Sequence, residues 1–206
     1  MKVLLINGSP NEKGCTYTAL SEVAKKLNSH NIDTQIIHLG TEPIAGCRGC
    51  KACTKTGKCV YNDKVNEVLP LLDGIDGLVV GSPVHYAAAS GQITSFMHRL
   101  FYAGSAKLSG KPGAAVVSCR RGGASAAFDQ LNKYFAIANM PIVPSQYWNQ
   151  VHGTNAEEVL KDEEGMQTMR TLGENMAWLL KCIDFADKGG IKRPEYEPKM
   201  RTSFIR

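Results

Sequence analysis

A four-residue apolar run, Val3-Leu4-Leu5-Ile6, stops abruptly at Asn7-Gly8-Ser9-Pro10 and gives way after Gly14 to a helical pattern. The run has the length and branching of a strand buried on both faces. Asn7, Gly8, Ser9, Pro10, Asn11 and Gly14 are turn formers, and Cys15-Thr16 lead into the helix. A strand, a loop of Gly and hydroxyls, then a helix makes an anion site. Free N–H groups and the positive end of the helix dipole both favour a phosphate there. The Walker pattern fails, since Gly8 to Gly14 is one residue too long and Cys15 stands where Lys belongs. The dinucleotide pattern GxGxxG fails because residue 10 is Pro. With Lys13 as its one cation, the loop suits a terminal monophosphate better than a metal-bound triphosphate. An ordinary strand-to-helix turn is the plain alternative, and the remaining chain has to decide between them.

The alternation continues along the chain. Residues 16–27 read as an amphipathic helix, 34–39 as a second strand and 40–62 as a long connection. Residues 65–72 read as a helix, 77–81 as an apolar third strand, 82–91 as a loop and 92–102 as a helix. The fourth strand falls at 113–118, followed by a loop at 119–123 and a helix at 125–138. Residues 140–143 open a fifth strand, with room to run on to Trp148 past Pro144. A loop at 149–161 and a long helix at 162–185 complete the chain. Five short apolar strands alternating with helices predict an α/β fold: a doubly wound, five-stranded parallel sheet with helices on both faces. Its ligand belongs at the carboxyl ends of the strands, beside the switch point.

At 206 residues the chain reads as one domain, residues 1–190, with a Cys-rich insertion at about 40–62 and a basic tail at 191–206. A net charge of +5 is too mild to imply nucleic acid. No apolar run approaches the roughly 18–20 residues that span a bilayer, and no secretory leader is visible. The expectation is a cytoplasmic protein whose seven cysteines are reduced thiols or ligands.

Three loops should meet at the strand tips. The first spans residues 8–16. The second is Ser82-Pro83-Val84-His85-Tyr86, stiffened by its Pro and bearing flat side chains with polar tips. The third is Cys119-Arg120-Arg121-Gly122-Gly123, which follows Ser118 and is cationic, with glycines that let backbone approach a ligand. Each has a bland reading: Ser9 and Thr16 as helix caps, His85 as a surface residue, Arg120 and Arg121 as a solvated pair. Together, after successive strands at one edge, they describe a site for a flat ring carrying a phosphate, and flavin mononucleotide (FMN) fits that description.

These same residues carry a resemblance. Asn7-Gly-Ser-Pro, Gly14-Cys-Thr16, Gly81-Ser-Pro-Val-His-Tyr86 and the Gly91…Phe96…Arg99 helix resemble the flavodoxin-like NAD(P)H-dependent FMN reductases and their relatives, the iron–sulfur flavoproteins. The resemblance covers most of residues 1–145. It implies a flavodoxin-like fold and non-covalent FMN. Ser9, Pro10, Asn11, Gly14, Cys15, Thr16 and Tyr17 would surround the phosphate, and Ser82, Pro83, Val84, His85 and Tyr86 would lie along the ring. Ser118, Arg120, Gly122 and Gly123 would close the site. Asn11 stands where many relatives carry Arg, and His85 where many carry Tyr or Phe. The resemblance also implies a homodimer or homotetramer.

Cys47-x2-Cys50-x2-Cys53-x5-Cys59 is the sharpest local signal. Compact spacing with two successive x2 gaps is how ferredoxin-like segments wrap an iron–sulfur cube. The Pro that follows the last Cys in bacterial ferredoxins is absent here. A 4Fe–4S cluster, a zinc ion on four thiolates and a loop of free thiols remain open readings.

Two functions follow. The first is an FMN-dependent oxidoreductase that moves electrons from NAD(P)H to a quinone, free flavin or other small acceptor. Its flavin does the chemistry, and no catalytic dyad is needed. The second is an electron carrier that relays electrons between FMN, a 4Fe–4S cluster on Cys47, Cys50, Cys53 and Cys59, and a protein such as ferredoxin.

Overall fold

In a computed structural model that describes residues 1–205, the alternating pattern becomes a doubly wound α/β sandwich. The strands are β1 (Lys2–Asn7), β2 (Asp33–His38), β3 (Gly77–His85), β4 (Ala88–Ala89), β5 (Gly113–Cys119) and β6 (Gln150–His152). The helices are α1 (Cys15–Ser29), α2 (Cys53–Thr56), α3 (Lys64–Val68), α4 (Gly91–Gly104), α5 (Ala124–Ile137), α6 (Ala156–Lys161) and α7 (Glu163–Lys188). Five strands run parallel in the order β2-β1-β3-β5-β6, and β4 pairs antiparallel with β3.

Side chains on the strands alternate between two cores, as the two-residue pleat requires. Leu4 and Ile6 of β1, Leu78 and Val80 of β3, and Ala115 and Val117 of β5 face α3, α4 and α5. Val3 and Leu5, Val79, and Ala114 and Val116 face α1 and α7. This double burial is why the strands read as unbroken apolar runs rather than alternating ones. From β1 the chain winds outward to β2; from β3 it winds the other way to β5 and β6. The reversal therefore lies between β1 and β3, and a crevice opens outside their carboxyl ends.

The fifth strand is not where the sequence pattern put it. Residues 140–148 form no strand: a single parallel bridge joins Ile142 to Gly113. Pro141 and Pro144 lack the N–H groups that a ladder needs. The strand proper is β6, which pairs Gln150, Val151 and His152 with Val117, Ser118 and Cys119. It lies inside the predicted 149–161 loop, as does α6.

Residues 82–85 are likewise strand rather than loop, because β3 continues to His85 and turns into β4. The two turn residues, Tyr86 and Ala87, have φ of 50° and 57°. Positive φ at both central positions is the hairpin turn that usually takes Asn-Gly, so the sequence carries no sign of it. The predicted 65–72 helix changes to 3-10 geometry from Leu69, next to Pro70. Among the described residues, no helix is long and apolar enough to cross a membrane.

Candidate functional site

The loop after β1 is fixed from several directions. The Gly8 N–H donates to the Gly81 carbonyl at 2.9 Å, tying the loop to β3. Asn7 Oδ1 accepts from the Ser9 N–H at 3.1 Å, and Asn7 Nδ2 donates to the Glu12 carbonyl at 3.0 Å. Ser9 Oγ accepts from the Asn11 N–H at 3.1 Å, and His38 Nε2 donates to the Ser9 carbonyl at 2.8 Å. The buried Asn7 and Ser9 side chains thus shape the backbone from beneath.

The helix that follows is open at its amino end. Gly14 occupies the cap position, and no side chain caps α1. Its first-turn N–H groups are therefore left for an external acceptor, at the positive end of the dipole. The helix is drawn close to the sheet at Gly81. A Cβ there would meet Leu20 and Thr16 side-chain atoms at 2.8 Å.

The crevice is a cleft of about 290 Å³, near the lower end of the roughly 300–1,000 Å³ usual for ligand sites. Ser9 and Asn11 line it from the loop after β1, Cys15 and Thr16 from the start of α1, Pro83 and Val84 from the end of β3, Ser118 from the end of β5 and Arg120 from the loop beyond. Thr16 Oγ1 and Ser118 Oγ are hydrogen-bonded at 2.8 Å, joining the start of α1 to the end of β5. Eight of the sixteen predicted cofactor residues therefore share one wall-to-wall space. Cys119, Gly153 and Thr154 complete the lining. Gly153 and Thr154 escaped the sequence reading because β6, which delivers them, is only three residues long.

Other predicted residues do not line the cleft. Ser82 is fully buried, and its hydroxyl accepts from the Ser90 N–H at 3.0 Å. Tyr86 is fully exposed at the hairpin tip, and His85 is also exposed. Pro10, Gly14, Tyr17, Gly122 and Gly123 are likewise outside the lining. Gly123 has a separate role: at φ +90°, it lies where a Cβ would meet Ala87 Cα at 2.7 Å, so it lets the third loop pack on the hairpin. Burial raises the Cys119 thiol above its ordinary pKa. The Cys15 thiol is raised by burial too, with Glu158 and Glu157 adding to the effect. The donor set here, an uncapped helix start, hydroxyls and one arginine, fits a phosphate ester.

A second cavity is lined by Cys47, Cys50, Cys53 and Cys59, with Arg48, Lys51, Tyr61 and Arg99 among its walls. Among the described residues, no three Cys, His, Asp or Glu side chains are drawn close enough to hold a metal ion. The chemistry of the lining fits a thiolate-bound metal or cluster all the same: four thiols, cationic neighbours and no carboxylate. The Ala52 backbone N–H, then the Arg48 side chain, lower the pKa of Cys50, whereas burial raises that of Cys53.

Side chains hold this loop in place. Asn66 accepts from the Cys59 N–H at 2.8 Å and donates to the carbonyls of Cys59 and Tyr61 at 2.9 and 3.0 Å. Gln92 Nε2 donates to the carbonyls of Gly40 and Glu42 at 2.8 and 3.1 Å. Arg99, only 1% exposed, forks onto Asp63 at 2.5 and 2.9 Å.

Residues 1–155 match the family described as NADPH-dependent FMN reductase. The chain is similar to an iron-sulfur flavoprotein of Methanocaldococcus jannaschii, 31% identical over 192 residues that cover 89% of this chain and 99% of the relative. Among solved structures it resembles a flavodoxin from the domain Archaea, with TM-score 0.58, 19% identity, and coverage of 88% of this chain and 99% of that one. It also resembles an NADH:FMN oxidoreductase in apo form, with TM-score 0.64, 17% identity, and coverage of 86% and 89%. At these identities the two structures speak for the flavodoxin-like fold alone.

Proposed function

Because the chain belongs to the NADPH-dependent FMN reductase family, we propose that it binds FMN non-covalently in the cleft at the strand tips. There it moves electrons from NAD(P)H to a quinone, free flavin or other small acceptor. One observation carries this reading: the loop after β1, the end of β3 and the end of β5 with Arg120 beyond it converge on a single cleft at an uncapped helix start.

FMN held there would supply the redox chemistry. The residues of the chain bind and orient. The first-turn N–H groups of α1, with the hydroxyls of Ser9 and Thr16, receive the phosphate. The Thr16–Ser118 hydrogen bond holds the start of α1 against the end of β5. Pro83 and Val84 offer an apolar surface to the ring, and Arg120 at the rim adds positive charge for the anionic groups of either nucleotide.

The four cysteines around one cavity favour a second reading. The M. jannaschii relative is named an iron-sulfur flavoprotein. On this reading, Cys47, Cys50, Cys53 and Cys59 hold a 4Fe–4S cluster, and the chain relays electrons between FMN, cluster and a protein such as ferredoxin.

An absorption spectrum of protein purified without oxygen, taken before and after NADH or NADPH, separates the two. Bleaching of a flavin band by the nucleotide is expected for the reductase. A flavin band that bleaches only with a reduced protein donor overturns it in favour of the relay. Colourless protein overturns both.

A further inference from the structure

Arg99 is a guanidinium in the protein interior, and Asp63 explains only part of its environment. Nη1 reaches Asp63 and, at 3.2 Å, the Ala45 carbonyl; Nη2 reaches Asp63 and, at 3.3 Å, the Tyr61 carbonyl. Its fifth bond runs from Nε to Cys59 Sγ at 3.2 Å. The guanidinium also lies 4.8 Å over the Tyr61 ring. Burial disfavours its charge, but the bonds to Asp63 and Cys59 outweigh burial and hold its pKa above the ordinary value.

The Nε–H bond is the informative one. A neutral thiol is a weak acceptor, whereas a thiolate is a strong one. A buried charged donor aimed at sulfur is well matched only when that sulfur carries negative charge, as a metal-bound cysteine does. Hydrogen bonds to ligand sulfurs, and nearby positive charge, are the means by which a protein sets the potential of an iron–sulfur centre.

We propose that Arg99 is the positioning residue of the cysteine site: it orients the Cys59 sulfur and, through its buried charge, raises the reduction potential of the centre those cysteines hold. The inference rests on the reading of the four cysteines as ligands of an iron–sulfur cluster. Arg48 also stands over this ring, 5.5 Å from the Tyr61 centroid. It is exposed, so solvent screens its charge. Arg99 is not screened in this way and should dominate.

The test compares wild-type protein with Arg99→Gln and Arg99→Lys, each loaded with iron and sulfide without oxygen. Iron per chain, flavin content and midpoint potential are read on the same samples. Wild type is expected to take up about four irons. In Arg99→Gln, the equilibrium constant for one-electron reduction of the cluster should fall roughly tenfold, a shift of about 59 mV to more negative potential. Arg99→Lys keeps the charge but loses the fixed N–H···S geometry, and should fall between the two. Where Arg99→Gln yields no folded, flavin-bearing protein, Arg99→Lys decides on the same criterion. Reduced iron content with an unchanged potential would mean a purely structural role and overturn the proposal. Wild-type protein that takes up no iron would instead overturn the cluster reading itself, and the inference with it.

Discussion

At the strand tips, Gly8 and Ser9 sit on backbone that the sheet itself places, and Thr16 is carried by a helix packed hard against β3. In residues 40–62 the only regular element is the single turn of α2. Shape there comes from side chains that reach in from α3 and α4: Asn66, Gln92 and Arg99. One region takes its form from main-chain geometry and close packing, the other from a few polar tethers. Damage should spread differently in the two. A tether lost beside the cysteines strands buried polar groups, whereas an atom added at the strand tips meets a packed wall.

The largest expected effect comes from the tethers. Asp63→Ala leaves the Arg99 guanidinium buried without its carboxylate, and removing one partner of a buried pair costs about 3–5 kcal/mol. The same change removes the Asp63 cap from the Val65 N–H. Urea titration should show this as a lowered midpoint, and a loss below about 1 kcal/mol would break the contrast.

A smaller effect should come from packing. Gly81→Ala forces a Cβ against Leu20 and Thr16, an overpacking that costs about 1–3 kcal/mol. It should also weaken FMN binding in a flavin titration by pushing α1 off the cleft. Gly46→Ala, in the cysteine loop with nothing within 4 Å, should stay within about 0.5 kcal/mol. Equal losses at the two glycines would erase the distinction between regions.

The smallest perturbation leaves stability alone and reads the electrostatics. A lowered pKa gives Cys50 more thiolate at neutral pH, whereas burial raises Cys119 and keeps it protonated there. In metal-free protein at pH 7, iodoacetamide should therefore modify Cys50 well before Cys119, as peptide mass spectrometry would show. Raising the pH should narrow the gap as the Cys119 thiol ionises.

The same contrast governs what the sequence could reveal. The strand tips were legible because their chemistry is local: an apolar run, turn residues and a helix start are adjacent in the chain. Ser9, Thr16, Pro83 and Ser118 could all be placed that way. The β3–β4 hairpin was not, because Tyr86-Ala87 adopts a turn that usually announces itself with glycine. β6 was missed because Pro141 and Pro144 delay the pairing until residues 150–152. The spacing of Cys47, Cys50, Cys53 and Cys59 was plain. Their anchor was not, since Arg99 lies 36 residues from Asp63 and 40 from Cys59. Nothing local distinguishes that arginine from one lying on a solvated helix face.

Helix α4 touches both regions. At its amino end, Ser90 Oγ donates to the Gly8 carbonyl; further along, Arg99 holds the cysteine loop. Residues 90 and 99 are about 13–14 Å apart along a helix rising 1.5 Å per residue. The spacing of these two anchor points is thus set by a rigid rod rather than by the connecting loops. If the chain relays electrons as in the second reading of its function, that strut would fix the distance they cross.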